Sequence, residues 1–348
     1  MTFQVTVQPS NHQFQASPDQ SILDAALAAG IVLPYSCKSG ACSTCKGKVI
    51  SGEFEAGESP AQILSPEEIE QGITLFCQVH ARSDMVIESH EVRMASDIQI
   101  RKLPSRVISM GKLAPDVMSL KLQLPATETF RFYAGQYVEI LLKDGRRRSY
   151  SMANPPHDAA ALELHLRHMP GGLFTDHVFG VGATQMKERE ILRLEGPFGS
   201  FFLREDSDLP IIMLASGTGF APIKSIVQHM IEKQIHRPVT LYWGGRRPQD
   251  LYMMDLAQSW SQSLPGFKFV PVVSNALPED NWTGRTGLVH QAVMQDFPDM
   301  SGYQVYACGA PIVVDSARRD FSAQCGLPGE AFFADSFVSA ADGAGKPA

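Results

Sequence analysis

The chain is poor in cysteine, with 6 in 348 residues. That number excludes a disulfide-stapled scaffold at this length. No run of about 18 apolar residues occurs, so the sequence predicts no transmembrane helix. Neither sign of charge dominates. With 30 basic and 37 acidic residues the net charge is -7, which offers no global attraction to nucleic acid. Internal repeats are absent. Met1 to Val7 lacks a basic stretch followed by an apolar core, so it does not read as a signal peptide. Clustered cysteines in such a chain suggest metal binding or catalysis in a reduced, cytoplasmic setting. What is present is ordinary globular material, 44% hydrophobic, 19% charged and 9% aromatic. This composition excludes disordered, collagen-like and coiled-coil proteins. At about 150 residues per domain the length predicts two or three domains.

Three kinds of pattern follow one another along the chain. Phe3, Val5 and Val7 alternate with polar residues, as in a strand. Ser21 and Asp24 mark a helix start, Ala25 to Ala29 continue it, and Gly30 stops it. This first segment runs to about residue 92. Gln99 to Pro104 has no apolar periodicity and reads as the end of a linker. From 103 to 203, Met118 to Leu124 and Leu162 to Leu166 alternate as half-buried antiparallel strands, and turn signals between them suggest a small barrel. From 204 to 338 the pattern changes. The apolar run Ile211 to Ala215, a glycine turn, and then Ile223, Ile226, Val227, Met230 and Ile231 at helical spacing form one strand–helix unit of a parallel sheet. Val239 to Trp243, Phe267 to Val273 and Tyr303 to Cys308 read as further strands. The Ala/Gly-rich tail, 339–348, is predicted disordered.

Four of the six cysteines fall in the first segment. Cys37, Cys42 and Cys45 have the spacing C-x4-C-x2-C, and Cys77 follows 32 residues after Cys45. This is the spacing of plant-type [2Fe–2S] sites, whose ligand set is four thiolates. The intervening Lys38-Ser39-Gly40-Ala41 and Ser43-Thr44 are mostly small, which lets backbone N–H groups approach the sulfurs. Structural zinc and free thiols are the alternatives, but zinc sites usually pair two C-x2-C units and only one exists here. On these residues the first segment resembles a plant-type ferredoxin.

The second segment carries Arg148-Ser149-Tyr150-Ser151 after the strand Tyr137 to Leu142. An arginine of this kind suits a diphosphate, the tyrosine ring suits a flat flavin, and the Ser151 hydroxyl suits its reducible edge. Downstream, Arg167 precedes Gly171, Gly172 and Thr175, where glycines permit close approach to phosphate and Thr175 lies near a helix start. Arg146 and Arg147 read as a solvated turn, or else as a lure for an acidic partner. The R-x-Y-[ST] stretch resembles that of the ferredoxin-NADP reductase family. The resemblance implies that the Gly171–Gly172 stretch touches the FAD diphosphate and that Glu195-Gly196-Pro197-Phe198-Gly199 is the turn closing the flavin barrel.

In the third segment Gly217-Thr218-Gly219-Phe220-Ala221-Pro222 lies between strand and helix, where a pyrophosphate meets free N–H groups. Pro222 replaces the third glycine of a dinucleotide fingerprint, so a true Rossmann dehydrogenase fits poorly. The reductase family has this G-T-G-x-A-P form, and Cys308-Gly309-Ala310-Pro311 resembles its C-G-x-P stretch. The resemblance implies that Cys308 faces the nicotinamide, with Gly309 and Pro311 beside it. The plainer reading of Cys308 is a small buried residue closing a strand. It also implies that Asp335 and Phe337 stand near the flavin, while Phe332 and Phe333 simply finish a strand. Cys325 has no such context and reads as packing or surface. Gly244-Gly245-Arg246-Arg247-Pro248-Gln249-Asp250 ends another strand. There an acid suits a ribose hydroxyl and an arginine suits a 2′-phosphate, so Gly244 and Arg246 are nucleotide-site candidates.

Taken together, residues 1 to 338 resemble the ferredoxin-fused reductases of multicomponent systems. The implied fold is multidomain. It comprises an α+β β-grasp ferredoxin (1–92), an antiparallel β-barrel flavin domain (103–203) and an α/β parallel-sheet nucleotide domain (204–338). The implied activity moves electrons from NADH, or NADPH, through FAD and the [2Fe–2S] cluster to a partner protein. Resemblance to CDP-6-deoxy-Δ3,4-glucoseen reductases points to a deoxysugar dehydrase as acceptor. A terminal oxygenase or hydroxylase is the alternative, and a non-catalytic iron–sulfur sensor or carrier is a third reading.

Overall fold

The computed structural model describes residues 2–57, 63–89, 92–94, 98–181 and 183–337. The tail at 339–348 and much of the stretch before Gln99 lie outside them. The chain divides into two compact units, one drawn from Met1–Gln99, Gly199–Phe201 and a C-terminal segment starting at Ala334, the other from Ile100–Phe198 and Phe202–Phe333. Among the described residues no helix is long and apolar enough to cross a membrane.

In the first unit a mixed sheet runs in the order His12–Ala16, Phe3–Gln8, Met85–Glu88, Lys46–Ser51, Ile73–Leu75. Phe3–Gln8 pairs antiparallel with its hairpin partner and parallel with Met85–Glu88. The alternation read in the sequence sends Val5 and Val7 fully inward. Helix Ile22–Ala28 turns Ile22, Leu23, Ala25 and Ala26 towards the core, and the Ser21 hydroxyl accepts the Asp24 N–H at its start. Gly30 follows in the left-handed region at φ +75°, as a helix stop needs. A sheet grasping one helix in this way is the expected ferredoxin-like fold.

The second unit has two layers of architecture. Six antiparallel strands run in the order Arg147–Ser151, Tyr137–Leu141, Ile191–Phe198, Arg101–Ala114, Val117–Gln123, Ala161–Arg167. A Met152–Leu164 bridge links the two outermost strands, closing the barrel. Its core holds Val107, Leu120, Leu122, Leu162, Leu164 and Leu166, the inward half of each alternation. Two readings change here. The first strand begins at Arg101, pairing with Gly196, so Arg101 to Pro104 are strand and not linker. Their signal was hidden because only Leu103 of this opening stretch is an apolar inward residue. Glu195 to Phe198 likewise continue the strand Ile191–Phe198, and the chain turns only after it.

Beyond the barrel, parallel strands run in the order Arg285–Thr286, Phe267–Val273, Val239–Gly245, Ile211–Ser216, Gln304–Gly309. The chain starts at Ile211–Ser216, winds to one side, then returns to place Gln304–Gly309 on the other. Strand order therefore reverses between these two strands, and the carboxyl ends at such a switch point are where open α/β sheets bind ligands. Helix Phe220–Glu232 follows the first strand as its apolar spacing predicts. Lys224 and Ser225 on it are also buried, which apolar spacing alone did not foresee.

Candidate functional site

The cysteine loop is positioned by two paired strands. Lys46–Ser51 lies antiparallel to Ile73–Leu75, and Phe76 N–H donates to Cys45 O, which brings Cys45 beside Cys77. Their sulfurs lie 3.2 Å apart. The tight loop puts Lys38, Gly40 and Ser43 in the left-handed region, curling Cys37 N–H onto Cys42 Sγ (3.4 Å) and Ser39 N–H onto Cys37 Sγ (3.4 Å). Cys42, Cys45 and Cys77 are buried. The hydrogen bond with Cys42 draws the Cys37 thiol down to about 5 against the effect of burial. The same bond, then burial, pushes Cys42 well up. Cys77 is lowered by its bond with Cys45, while that bond and burial push Cys45 well up. Among the described residues no three or more His, Cys, Asp or Glu side chains gather about one point. Cys45 and Cys77 lie sulfur to sulfur, and Cys37 and Cys42 are joined by the Cys37 N–H bond to Cys42 Sγ, a four-thiolate set that fits a [2Fe–2S] cluster.

Arg147–Ser151 is itself a strand, with Ile140 opposite Arg148 and Tyr137 opposite Ser151. The two-residue period puts Arg148 and Tyr150 on one face and Ser149 and Ser151 on the other. Arg148 is half-buried, and its Nη1 donates to Arg147 O (2.7 Å). It makes no ion pair among the described residues. Tyr150 leans on Phe174, centroids 5.8 Å apart, and burial pushes its phenol up. Arg146 and Arg147 are spoken for: Arg146 pairs with Asp144 (2.6 Å), Arg147 with Glu139 (2.6 Å) and Glu195 (2.7 Å). Thr175 braces its own turn, accepting Met169 N–H (3.2 Å) and donating to Met169 O (2.9 Å). A Cβ on Gly172 would lie 2.6 Å from that hydroxyl, so this glycine serves the turn. Gly171, at φ +80°, has open space where a Cβ would be.

Arg167 ends the strand Ala161–Arg167. Its Nε is 3.3 Å from Asp116 Oδ2 and its Nη2 3.9 Å from Asp250 Oδ1. Both nitrogens are buried without a hydrogen bond of good geometry. Asp116 and Asp250 balance the Arg167 charge, while the two nitrogens keep hydrogen-bonding capacity for a further acceptor. A Cβ on Gly217 would lie 3.3 Å from Arg167 Nη1. The arginine assigned from sequence to the flavin diphosphate therefore stands against the nucleotide turn as well.

Gly217–Gly219 form a single tight turn before the helix Phe220–Glu232, whose N-terminus has no side-chain cap. The Phe220 N–H is taken up by the Gly217 and Thr218 carbonyls and Pro222 has none, so the positive end of the helix dipole is what this turn chiefly offers to phosphate. Trp243 Nε1 donates to Gly217 O (3.0 Å) and steadies the turn. A Cβ on Gly219 would fall 2.2 Å from Cys308 O, and one on Gly309 2.2 Å from Ser216 Oγ. The glycine turn and the C-G-x-P stretch therefore meet so closely that only glycine fits. Ser216 Oγ accepts Ala310 N–H (2.8 Å) across the same gap. Cys308 is fully buried. Pro311 opens the helix Pro311–Cys325, where its missing N–H costs nothing, and Pro222 sits in a first turn for the same reason.

Other candidates fall elsewhere. Gly244 packs under Val289, 2.8 Å from where its Cβ would be. Arg246 is exposed, whereas Arg247 holds Asp280 with two bonds of 2.6 Å. Asp250 accepts the N–H groups of Arg246 (2.8 Å) and Arg247 (3.0 Å), so its carboxylate shapes the turn. Asp335, in the first unit, accepts the Ser36 hydroxyl (2.6 Å) beside Cys37. Phe337 is half-buried. Cys325 is buried at a helix end. The sequence reading missed Glu163, His165, Lys224 and Tyr252, which meet behind the glycine turn. Its one available signal was Lys224, a charge on the apolar face of a helix.

Three family models match in succession: a 2Fe-2S iron-sulfur cluster binding domain over residues 5–82, an oxidoreductase FAD-binding domain over 104–203, and an oxidoreductase NAD-binding domain over 213–319. The chain is 40% identical over 338 residues to a CDP-6-deoxy-L-threo-D-glycero-4-hexulose-3-dehydrase reductase of Yersinia pestis, covering 97% of this chain and 99% of the relative. It is 36% identical over 348 residues to terephthalate 1,2-dioxygenase reductase component 1 of Comamonas sp, covering 99% of each. The crystal structure of Amycolatopsis cytochrome P450 reductase GcoB matches with TM-score 0.75 and 33% identity, over 97% of this chain and 100% of that one. With paired thiolates, a closed flavin-type barrel and a glycine cradle at a sheet switch point in the matched segments, the chain belongs to the ferredoxin-fused branch of the ferredoxin-NADP reductase family, as an NAD(P)H-dependent oxidoreductase that moves electrons through FAD and a [2Fe–2S] cluster.

Proposed function

We propose that this reductase serves a cytoplasmic CDP-deoxysugar dehydrase. The observation that carries this reading is the 40% identity, end to end, with a reductase named for a CDP-hexulose dehydrase. The 36% identity with a dioxygenase reductase keeps an oxygenase component as the second reading. On this reading the cluster domain spans about 1–92, the FAD barrel starts with the strand at Arg101 and runs to about 203, and the nicotinamide domain follows from 204, with NADH as the usual donor.

When bound, FAD takes up a two-electron hydride and gives electrons out singly, and the cluster carries them one at a time. The protein's own residues do the positioning. Cys37, Cys42, Cys45 and Cys77 would hold the cluster, and the Ser39 N–H, which donates to Cys37 Sγ, would stabilise thiolate charge there. Arg148 would hold the FAD diphosphate, Tyr150 on the same strand face would border the flavin ring, Ser151 at the strand end would reach its reducible edge, and the open space at Gly171 would admit phosphate. Arg167 offers its two buried donors to the anionic ligand at the junction. Gly217, Thr218 and Gly219 would offer backbone N–H groups to the nicotinamide nucleotide, and Pro222, which has no N–H, shapes the first turn of the helix whose dipole points there. Cys308, Gly309 and Pro311 would form the opposite wall, Arg246 beside Gly244 would face the adenosine ribose, and Asp335 and Phe337 remain candidates for the flavin side.

The test is reconstitution with purified acceptors. NADH consumption coupled to turnover of a CDP-hexulose dehydrase, and not of an oxygenase component, is expected. Turnover only with the oxygenase would overturn the acceptor assignment. An absence of NADH-driven bleaching at flavin wavelengths would overturn the hydride path itself.

A further inference from the structure

Behind the glycine turn, the barrel and the parallel sheet meet through a buried polar clasp. Glu163, on the barrel strand Ala161–Arg167, accepts from Lys224 Nζ (3.0 Å) and from His165 Nε2 (2.9 Å). The same lysine, on the helix Phe220–Glu232, also donates to Ala153 O in the barrel (3.0 Å). One residue on, Ser225 Oγ donates to Asn154 O (2.7 Å), and Asn154 Oδ1 accepts Glu163 N–H (2.8 Å). Lys224 is 6% exposed and His165 4%.

The protonation pattern is set by these contacts. Burial opposes the Glu163 charge, yet the His165 hydrogen bond and the Lys224 charge hold its carboxyl at about 2. Burial lowers His165 and so favours its neutral form, against the pull of Glu163. Because the carboxylate only accepts, His165 carries its proton on Nε2 and takes the Tyr252 hydroxyl on Nδ1 (2.9 Å). The Tyr252 ring then stands edge-on to Phe220 and Trp243, at 87° and 90°. Phe220 stacks on Trp243 at 3.9 Å, and Trp243 holds the Gly217 carbonyl. A continuous set of contacts therefore runs from the barrel strand to the turn that cradles the nucleotide.

A buried ion pair is a poor source of stability, because desolvation offsets the attraction, and an apolar pair of equal volume does as well. What it supplies is direction, since leaving either charge alone is strongly unfavourable. Lys224 lies five residues into the chain after Gly219, about 7 Å along the helix axis. Fixing it fixes the start of the helix.

We propose that Glu163, Lys224, His165 and Tyr252 are positioning residues which lock the nucleotide turn onto the flavin barrel at the spacing that hydride transfer needs. The idea rests on the hydride path above. Reactive atoms must be held within a few tenths of an ångström, and a shift of about 1 Å costs about 100-fold in rate.

The test uses the holoenzyme with Glu163→Gln, Lys224→Met, the two combined, and Tyr252→Phe. Hydrogen exchange of the 216–226 segment, thermal midpoint, and stopped-flow flavin reduction by NADH are measured. Glu163→Gln is expected to raise exchange in 216–226 at least tenfold and to slow flavin reduction about tenfold to 100-fold, with the NADH dissociation constant within threefold. The combined variant is expected to regain the thermal midpoint while flavin reduction stays slow, because stability needs only the absence of a lone charge whereas spacing needs the clasp. Tyr252→Phe, which folds if the single charge variants do not, is expected to slow reduction about threefold. Reduction that recovers with stability in the combined variant, or wild-type exchange and rate in both it and Tyr252→Phe, would overturn the clasp. A wild-type protein that NADH does not bleach would instead overturn the hydride path.

Discussion

A methyl group on Gly219 is a sharp probe of the nucleotide cradle. The residue has φ -58° and ψ -12°, a helical conformation that alanine adopts freely. By backbone entropy alone, Gly219→Ala should stabilise the protein by about 0.4–1 kcal/mol. The added Cβ, however, lands 2.2 Å from Cys308 O, 2.5 Å from its carbonyl carbon and 2.9 Å from Gly309 Cα. An ordinary carbon–oxygen contact is about 3.3 Å, so turn and strand end must separate by about 1 Å. All three atoms are backbone in a fully buried strand, with no flexible side chain to yield. Overpacking of this kind costs about 1–3 kcal/mol, which reverses the entropic gain. The same displacement acts on the nicotinamide site and lowers the hydride-transfer rate about 100-fold. Urea unfolding and stopped-flow flavin reduction by NADH measure the two effects separately. Gly302→Ala, where nothing lies within 4 Å of the new Cβ, is the control and stays near wild type. A Gly219→Ala protein at least as stable as wild type and equally fast would refute the contact between these two loops.

Three further outcomes are expected. Cys45→Ser abolishes the visible absorption and paramagnetic signal of the cluster, whereas Cys325→Ser, at a packed helix end, leaves both unchanged. Glu163 has a folded pKa near 2, below its usual value, so its contribution to stability is present above about pH 4.5 and fades as pH falls towards 2. Urea midpoints measured from pH 7 to pH 3 should therefore fall less steeply for Glu163→Gln than for wild type. Arg246 stands exposed at the strand end while Arg247 is held by Asp280, so Arg246→Ala should raise KM for NADPH several-fold and leave KM for NADH within twofold. Equal effects on both nucleotides would remove Arg246 from 2′-phosphate recognition.

Local patterns carried far along this chain. The C-x4-C-x2-C spacing, the alternation of Leu162, Leu164 and Leu166, and the apolar run before Gly217 each depend on residues a few positions apart. Strand period, helix period and ligand spacing are short-range, so these were legible directly. The start of the barrel at Arg101 was not, because its strand character comes from pairing with Gly196, far away in sequence. The reason for Gly172 and Gly244 was also hidden. Gly172 read as a phosphate-site glycine and Gly244 as a nucleotide-site candidate, and both are required by a neighbouring side chain, Thr175 in one case and Val289 in the other.

The sequence by itself determined the cofactor-bearing motifs, their order and the three kinds of secondary-structure grammar, because each follows from covalent spacing and the two periodicities of the backbone. Tertiary structure alone decided that the cysteine sulfurs divide into two pairs. It also set the glycine turn against Cys308 at a distance only glycine allows, and turned Lys224 inward to meet Glu163 from the barrel. Those outcomes depend on desolvation and on contacts between residues tens of positions apart in sequence, which no local pattern encodes.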